Sequence, residues 1–355
     1  MKILHIISDT VLGGAQRVCI DLANCAVNDG NEVAVAAMSG GYLWEQLTSN
    51  VKQFQLNNME KSIGFKDFKV VKELKQIRNS YRPDIIHLHT SKPGILGRWV
   101  FRKEKEHIVY TVHGFDQIRI AHKKFLPVEK YFQKYTGAIV AVSEYDKLNM
   151  SKCGINKNIS LIYNGIDSVQ INKKDTFPIS IKEKKVVLTI ARIAPPKDFD
   201  LFINVASAFE HKDVAFVWIG GAKNKTLDDL RFEYNIPSNV YLLGDLKNAS
   251  EYINLCDIFV LFSKHEGLPM SIIEAMSQGK AVIASNVGGI PELVSEENGA
   301  LILNYNDSEI AINKILENFT LRNLLGLQSL SKYENNFTLE KMWNEYKKLY
   351  LSLLS

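Results

Sequence analysis

Short apolar runs alternate with amphipathic helical stretches along most of the chain. In the first half, the pattern predicts strands at 2–8, 32–38, 84–89, 107–112, 138–142 and 159–162, and helices at 15–29 and 68–80. In the second half, it predicts strands at 185–191, 214–219, 240–243, 257–262 and 281–284, a helix at 199–210 and a helical tail beyond Glu309. This alternation is typical of mostly parallel sheets with helices on both faces, so the predicted fold class is α/β.

A turn and a polar segment separate the two halves. Asn164-Gly165-Ile166-Asp167 is a turn signal, and the Lys-rich residues 168–184 that follow it are interpreted as a linker. A chain of 355 residues also fits two domains better than one core. We therefore expect one Rossmann-like domain over 1–167, a second over 168–335, and a final helix over 336–355 that packs back on the first. Two such domains would face each other across a cleft, the usual ligand position for these sheets.

The strongest candidate site contains two glutamates, Glu266 and Glu274, separated by seven residues. The turn 267–269 precedes a helix predicted at 270–278, which ends at Gly279. The free N–H groups and the positive end of this helix suit a phosphate. The carboxylates could accept hydrogen bonds from sugar hydroxyls, which predicts a sugar-nucleotide site. The alternative interpretation is that Glu266 is only a charge that caps the helix N-terminus and that Glu274 is a solvated helix residue.

A second cluster of candidates follows the first predicted strand of the second half. Arg192 and Lys197 lie in one strand-loop-helix corner and could clamp a diphosphate, or they could be two exposed basic residues. Asp198 and Asp200 resemble the D-x-D pattern that holds a divalent metal. Because they open a helix, where aspartate is favoured as a cap, we interpret Asp198 as a helix cap and predict no metal there.

Two glycines, Gly13 and Gly14, follow the first predicted strand and open a helix. They lie within the segment 12–17, where they would let a ligand approach the backbone, and the helix N-terminus offers N–H donors. The segment lacks the G-x-G-x-x-G pattern, and no acidic residue is placed for a ribose after the second strand. This argues against a nicotinamide cofactor, and we expect no cofactor at all. A plain turn is the alternative interpretation.

Four histidines on or directly after predicted strands of the first half are candidate site residues. His113 follows the strand 107–112 beside a glycine that would admit a ligand, which makes it a candidate binding residue. His87 and His89 alternate on one strand and so share a face. Together with His5 they could suggest a metal, but no carboxylate lies at ligand spacing. We interpret these three as core or cleft-wall residues and predict no metal site.

Charge is distributed unevenly between the halves, although the net charge is only +4. Residues 1–167 carry 23 basic and 16 acidic side chains, whereas the remainder carry 20 and 23. The excess is concentrated in 66–134, with 16 basic and 7 acidic side chains. The basic residues of 66–134 could form a solvated lysine-rich face, or they could dock on an anionic membrane. The segment 122–135 combines basic and aromatic residues as an interfacial helix does. We find no nucleic-acid-binding signature and expect no nucleic-acid partner.

The remaining features concern the compartment. The four cysteines form no C-x-x-C pair and are interpreted as reduced, mostly buried thiols. The N-terminal MKILHIIS begins a strand pattern rather than a signal peptide, and no apolar run approaches the roughly 18 residues that span a bilayer. We expect a cytoplasmic protein that is peripherally associated with the inner face of the cell membrane.

Taken together, these motifs resemble the family 4 retaining glycosyltransferases of the two-Rossmann (GT-B) type. The matching segments are GGAQR at 13–17, TVHG at 111–114, IYNGID at 162–167, ARIAPPKDF at 191–199, WIGG at 218–221, LLG at 242–244 and EGLPMSIIEAMSQGKAVIASNVGGIPELV at 266–294. The last is highly specific, and the others are informative in combination. HLHTSKPGILGR followed by TVHGFD resembles enzymes that build bacterial capsule, exopolysaccharide or O-antigen repeat units.

The resemblance implies a reaction and a role for each matching residue. The first domain would bind a glycan or lipid-linked glycan acceptor, and the second would bind a nucleotide-sugar donor, with uridine as the expected base. The implied catalytic residues are Glu266 on the sugar hydroxyls, His113 near the outer hydroxyl, and Arg192 and Lys197 on the diphosphate in place of a metal. The implied donor-binding residues are Gly13, Gly14, Arg192, Lys197, Gly220, Leu243, Gly267, Leu268, Pro269, Met270 and Glu274.

Two other functions remain as alternatives. An NDP-sugar epimerase shares the two-Rossmann fold but needs acid and base residues along the C2 face of the sugar. A non-catalytic nucleotide-binding subunit would not need the intact set of Glu266, Arg192, Lys197 and Glu274.

Overall fold

The computed structural model describes residues 1–355 except 12, 61, 63, 170–176, 178–180, 182 and 223–224. The chain divides into two compact units. Unit 1 contains Met1–Gly165 and Leu339–Ser355, and unit 2 contains Ile166–Thr338. The predicted linker 168–184 falls largely outside the described residues. No helix of the described chain is both long enough and apolar enough to cross a bilayer.

Unit 1 is built on a seven-stranded sheet. Its strands are β1 (Lys2–Ile6), β2 (Glu32–Met38), β3 (Lys52–Leu56), β4 (Ile85–His89), β5 (Ile108–Val112), β6 (Ala138–Ala141) and β7 (Ile159–Leu161). Its first six helices are α1 (Gly14–Asn28), α2 (Leu43–Gln46), α3 (Asp67–Tyr81), α4 (Ser91–Val100), α5 (Leu126–Phe132) and α6 (Glu144–Lys152). The strand order is β3-β2-β1-β4-β5-β6-β7, and every pair is parallel. The central strands β4 and β5 are buried along their whole length, as is typical of a sheet covered on both faces.

Unit 2 is built on a six-stranded parallel sheet. Its strands are β8 (Lys185–Ile190), β9 (Val214–Ile219), β10 (Val240–Gly244), β11 (Ile258–Leu261), β12 (Ala281–Ser285) and β13 (Gly299–Ile302). Its helices are α7 (Phe199–Ser207), α8 (Leu227–Glu233), α9 (Met270–Ser277), α10 (Ile290–Leu293), α11 (Tyr305–Glu317) and α12 (Phe319–Asn336). The strand order β10-β9-β8-β11-β12-β13 places β8 at the middle, so the loops after β8 and β11 leave neighbouring strands.

The last helix, α13 (Leu339–Leu354), belongs to unit 1. Its buried face carries aromatic side chains, of which Tyr346 and Tyr350 reach the central strands β4 and β5. Trp343 donates its indole N–H to Asp29 at the end of α1. The helix therefore buries its aromatic side chains against unit 1.

Every strand predicted from an apolar run is present, with its ends shifted by at most two residues. The pattern missed β3 and β13, which are edge strands and are only partly buried. The strand β3, KQFQL, has no continuous apolar run, and β13, GALI, is only four residues long. It also missed α4, whose sequence SKPGILGRWV contains one proline and two glycines.

The prediction of one interfacial helix over 122–135 is wrong. Short 3₁₀ turns at Lys123–Phe125 and Gln133–Tyr135 flank the seven-residue helix α5. The Glu129 carboxylate of α5 is buried because it pairs with the buried guanidinium of Arg98, with 2.5 Å between Nη2 and Oε2. Of the four aromatic side chains in the segment, Phe132 is buried and Tyr131 is exposed.

Candidate active site

A lysine and a glutamate from two loops of unit 2 form a close ion pair. Lys197 Nζ lies 2.5 Å from Glu266 Oε1, and the side chains are only 17% and 12% exposed. Residues 196–198, in the loop after β8, form backbone hydrogen bonds and a β-bridge with residues 262–264, which follow β11. This pairing of loops holds together two catalytic candidates that are 69 positions apart in the sequence.

A glycine pair supports the loop that carries Glu266. The Gly289 N–H donates to the Gly267 carbonyl at 3.0 Å. Gly288 has a φ of 59°, and a Cβ at this position would lie 1.9 Å from the Glu266 carbonyl oxygen. Both the backbone conformation and the close approach require glycine. Gly288 therefore fixes the backbone position of Glu266, a role that was not assigned from the sequence.

Helix α9 begins directly after the turn 267–269. Pro269, the last residue of the predicted turn, is its N-cap residue, with φ −69° and ψ 120°. Among the described residues, no side chain caps the helix start, and the Ile272 N–H donates to the Pro269 carbonyl at 3.2 Å. The N–H groups of Met270 and Ser271 are therefore the candidates for binding an anion. Leu268 and Pro269 are buried, and Met270 is half-buried. The structure thus places a positive helix end directly after the loop of Glu266.

Glu274 lies in the second turn of α9 and is half-buried. The helix ends as predicted, with Gly279 at a φ of 63° just beyond its last residue. Asp198 accepts a hydrogen bond from the Leu201 N–H at 3.2 Å, which confirms its interpretation as the cap of α7.

The other donor-binding candidates of unit 2 lie where β8, β9 and β10 end. Arg192 is exposed after β8, and Leu243 is half-buried in β10. Gly220 follows β9 with a φ of 129°, and a Cβ there would lie 2.1 Å from the Ala191 carbonyl oxygen. Its N–H donates to the Gly244 carbonyl at 2.7 Å. Gly220 therefore lets the three strand ends approach one another closely.

In unit 1, the glycine pair lies at the start of α1. Gly13 is the N-cap residue in an extended conformation, and Gly14 is the first helical residue and is exposed. Among the described residues, no side chain caps this helix start. Leu12, the first residue of the predicted motif, is outside the described residues. An accessible helix start after β1 is compatible with phosphate binding.

His113 lies one residue beyond β5 and is half-buried. Its Nε2 lies 3.2 Å from His89 Nδ1, and His89 Nε2 lies 3.1 Å from His5 Nδ1. Burial lowers the pKa of His113 to about 4 and that of His5 to about 3, and it lowers the pKa of His89 well below 6.5. These rings are therefore neutral near pH 7.

The three fully buried histidines His5, His87 and His89 have ring nitrogens within 4.8 Å of one another, a spacing that could hold a metal ion. Both nitrogens of His87 are already engaged, however. Nδ1 lies 2.7 Å from the Tyr350 hydroxyl, and Nε2 lies 2.7 Å from Thr111 Oγ1. A metal would have to displace one of these hydrogen bonds, so the residues present do not fit a metal. Their burial agrees with the interpretation as core residues.

Sequence reasoning missed two further features near the strand ends of unit 1. Thr90, directly after β4, has φ 68° and ψ 162°, a strained conformation for a β-branched residue, and its hydroxyl lies 3.1 Å from Ser8 Oγ. Arg119 donates to Asp116 Oδ1 at 2.8 Å and to the Tyr145 hydroxyl at 2.9 Å. The motif TVHGFD contains Asp116, but the sequence does not indicate its partners.

Two family models match consecutive parts of the chain. The model described as Glycosyltransferase Family 4 matches residues 12–170, and the model described as Glycosyl transferases group 1 matches residues 171–328. Among curated proteins, an Escherichia coli enzyme named UDP-Gal:alpha-D-GlcNAc-diphosphoundecaprenol alpha-1,3-galactosyltransferase is 28% identical to this chain. The alignment covers 100% of this chain and 97% of the E. coli enzyme. The E. coli O-antigen biosynthesis glycosyltransferase WbnH is 25% identical over 98% of both chains.

Solved structures share the fold. Anabaena HepE in complex with UDP-glucose superposes with a TM-score of 0.84, at 21% identity, over 99% of this chain and 100% of its own. WaaG, a glycosyltransferase involved in lipopolysaccharide biosynthesis, superposes with a TM-score of 0.73 at 13% identity, over 97% of this chain and 98% of WaaG. The two parallel-sheet units therefore have the GT-B fold. The chain belongs to the group 1 and family 4 glycosyltransferases.

Proposed function

We propose that this glycosyltransferase moves a sugar from a UDP-sugar to a hydroxyl of a lipid-linked glycan, with retention of the anomeric configuration. The observation that carries the proposal is the Lys197–Glu266 ion pair beside the N-terminus of α9. A cation and a positive helix end suit a diphosphate, and a carboxylate beside them suits sugar hydroxyls. The name of the E. coli galactosyltransferase contains both a UDP-sugar and a diphosphoundecaprenol-linked acceptor, which supports both substrate classes.

In this proposal, the diphosphate is bound without a metal. Arg192 and Lys197 supply the positive charges, and the backbone N–H groups of Gly267, Leu268 and Met270 supply donors beside them. Such preorganised donors are worth roughly 3–4 kcal/mol each in a transition state. Pro269 has no N–H and contributes by setting the direction of the turn. The leaving nucleoside diphosphate is thus stabilised as its bond to the sugar breaks.

The remaining candidates would contact other parts of the donor. Glu274 would accept hydrogen bonds from the ribose, and Gly220 and Leu243 would lie near the nucleotide. Glu266 would bind sugar hydroxyls while Lys197 holds one of its oxygens. From unit 1, His113 would approach an outer hydroxyl, and Gly13 and Gly14 would approach the phosphates. The acceptor hydroxyl then bonds to the anomeric carbon, and the departing phosphate takes its proton.

A thermal-shift panel tests the choice of donor. We expect UDP-galactose, UDP-glucose or UDP-N-acetylglucosamine to raise the unfolding temperature more than GDP-mannose or ADP-glucose does. A ligand at about 100 times its dissociation constant stabilises the folded state by roughly 2.7 kcal/mol, an effect that such a panel detects readily. Stabilisation by GDP- or ADP-sugars alone would contradict the proposed base. Incubation of the stabilising donor without acceptor tests the epimerase alternative, which predicts an epimer of the sugar.

We also propose that the protein works at the cytoplasmic face of the cell membrane, bound peripherally through unit 1. Four lysines between residues 123 and 134 are exposed, namely Lys123, Lys124, Lys130 and Lys134. Lys134 Nζ lies 3.9 Å from the centre of the Tyr131 ring, which is 50% exposed. Basic side chains next to an exposed aromatic ring suit an anionic lipid surface. A lipid-linked acceptor would be reached at this surface.

A further inference from the structure

A row of three histidines leads from the half-buried His113 to the buried His89 and His5 inside unit 1. His113 and His89 have facing nitrogens 3.2 Å apart, and His89 and His5 have facing nitrogens 3.1 Å apart. In both pairs the ring centres are 5.4 Å apart, and the planes are inclined by only 19° and 27°. Because the ring centres are much farther apart than the nitrogens, the rings meet edge to edge. Each contact therefore has the geometry of an imidazole–imidazole hydrogen bond.

Two hydrogen bonds in a row couple the tautomers of all three rings. A neutral imidazole has one N–H donor and one acceptor nitrogen. If His5 donates from Nδ1, His89 accepts at Nε2 and must donate from Nδ1, so His113 accepts at Nε2 and carries its proton on Nδ1. If the hydrogen bonds run in the opposite direction, all three rings carry the proton on Nε2. The three rings must therefore share one tautomer.

The buried end of the row favours one of these two directions. His5 is fully buried, and its Nε2 has no hydrogen-bond partner among the described residues. A proton on Nε2 would bury an unpaired N–H group, and such groups are rarer in proteins than unpaired acceptors. The direction in which His5 donates from Nδ1 avoids this. It also leaves a proton on His113 Nδ1, the nitrogen that faces away from His89.

We propose that His5 and His89 are positioning residues that hold His113 in the Nδ1–H tautomer, so that His113 presents a hydrogen-bond donor to the donor sugar. The identity of the ligand rests on the function proposed above, but the tautomer does not. Without the row, His113 could present either a donor or an acceptor to the same hydroxyl. With it, the choice is fixed by residues that do not touch the ligand.

His87 provides a matched control because it lies in the same cluster but outside the row. Its ring centre is 4.0 Å from that of His89, so the two rings stack rather than meet at their edges. Its nitrogens bind Tyr350 and Thr111 instead. Replacement of His87 changes the packing around His89 but leaves the two hydrogen bonds of the row in place.

The first test measures the tautomers in the absence of any nucleotide. Proton–nitrogen correlation spectra of protein with isotope-labelled histidine distinguish Nδ1–H from Nε2–H rings, and single-histidine variants assign the signals. We expect His5, His89 and His113 all to carry the proton on Nδ1. A proton on Nε2 of any of the three, or a mixture of tautomers in one of them, would overturn the proposal. This result does not depend on the enzyme's substrate.

The second test cuts the row two rings away from the ligand. In His5→Phe we expect mixed tautomers at His113 and a weaker affinity for the UDP-sugar that stabilises the wild type, by about three- to tenfold, with the affinity for UDP unchanged. In His5→Asn, the amide nitrogen can donate from the position of Nδ1. This variant should restore the single tautomer of His113 and the affinity for the UDP-sugar. His87→Phe should change neither.

An unchanged His113 tautomer and an unchanged UDP-sugar affinity in His5→Phe would show that His5 does not position His113. The same changes in His87→Phe would show a general packing effect, which also contradicts the proposal. If the wild type binds no nucleotide sugar, the proposed function fails, while the spectra still decide whether the row sets the tautomer.

Discussion

The candidate residues of the two units differ in both construction and chemistry. In unit 2, most of them come from one continuous segment, 266–274, and the decisive contact is between opposite charges, Lys197 and Glu266. In unit 1, His113 is supported by side chains from two separate strands, His89 on β4 and His5 on β1, and burial keeps the three rings neutral. The charged site can act on an anionic ligand, whereas the neutral row can only orient a hydrogen bond. In the proposed function, unit 2 would stabilise charge and unit 1 would orient a hydrogen bond.

Removal of the ion pair should have the largest effect. We expect Glu266→Ala and Lys197→Ala each to reduce turnover by about a hundredfold or more with the fold intact, because each removes a group that is proposed to act on the donor. Lys264→Ala is the matched control, since this lysine is exposed in the same loop. Transfer assays with the stabilising UDP-sugar would measure the effect. Near-normal rates in both variants would refute the charged site of unit 2.

Gly288→Ala should displace Glu266 without removing it. A Cβ at this position collides with the Glu266 carbonyl oxygen, and the positive φ adds strain of about 1–2 kcal/mol. We expect turnover to fall by about tenfold or more, along with a loss of stability. Gly30→Ala separates the two causes, because Gly30 has a φ of 79° but nothing within 4 Å of the added Cβ. Equal activity losses in both variants would argue against a positioning role for Gly288.

Unit 1 should lose stability as the pH falls below about 6.5. Burial lowers the pKa values of His5, His87 and His89 in the folded state, whereas the unfolded chain binds protons near pH 6.5. Between these values the unfolded state holds more protons, so the free energy of unfolding falls with decreasing pH. The slope is at most about 1.4 kcal/mol per pH unit for each histidine. Above pH 6.5 this contribution is fully present.

Urea unfolding at pH 7, 6 and 5 would measure this dependence. In a Trp218→Phe background, the remaining tryptophans all lie in unit 1 and report its unfolding. His5→Phe should lower the slope of the unfolding free energy against pH, because up to one proton fewer is taken up on unfolding. His122→Gln, at an exposed position, should not change this slope. A slope that is unaffected by His5→Phe would contradict the neutral, buried state of that ring.

Membrane docking should depend on the exposed lysines of unit 1. We expect binding to vesicles rich in anionic lipid at low salt, since each basic side chain near such a surface contributes about 1 kcal/mol. Binding should be lost at high ionic strength and in the double variant Lys123→Glu/Lys124→Glu. Vesicle co-sedimentation would measure it, with Lys212→Glu in unit 2 as the control. Equal binding to neutral vesicles would show that these lysines do not dock on anionic lipid and form only a solvated face.

Chelation should have the smallest effect. In the proposed function Arg192, Lys197 and the start of α9 supply the positive field at the diphosphate, so EDTA should leave the transfer rate essentially unchanged. The assay is the same transfer reaction with and without chelator. A loss of activity that magnesium or manganese restores would show that unit 2 does not bind the diphosphate by side chains alone.

The part of the candidate site that depends only on residues adjacent in the sequence could be predicted. Continuous apolar runs identified the central strands of both sheets, and the segment 266–274 showed its turn and helix because these depend on neighbouring residues. The contact between Lys197 and Glu266 was not visible, because it depends on β8 and β11 lying side by side. The row from His113 to His5 was hidden for the same reason, since it requires β1, β4 and β5 to be adjacent. Interpreting His5, His87 and His89 as core residues was sound, but it missed the hydrogen bonds that connect His5 to His89 and His89 to His113.

Helix α13 makes the order of synthesis important for this protein. A ribosome releases all of unit 2, Ile166–Thr338, before it releases the helix that unit 1 still needs. Until Tyr346 and Tyr350 emerge, His87 and Thr111 lack the hydroxyl groups that they bind in the finished protein. A chain that stops at 338 therefore leaves polar groups unpaired in the middle of the sheet that leads to His113. Translation must reach the last helix before the strand behind the candidate site becomes stable, so truncated products should be inactive and exposed to proteolysis.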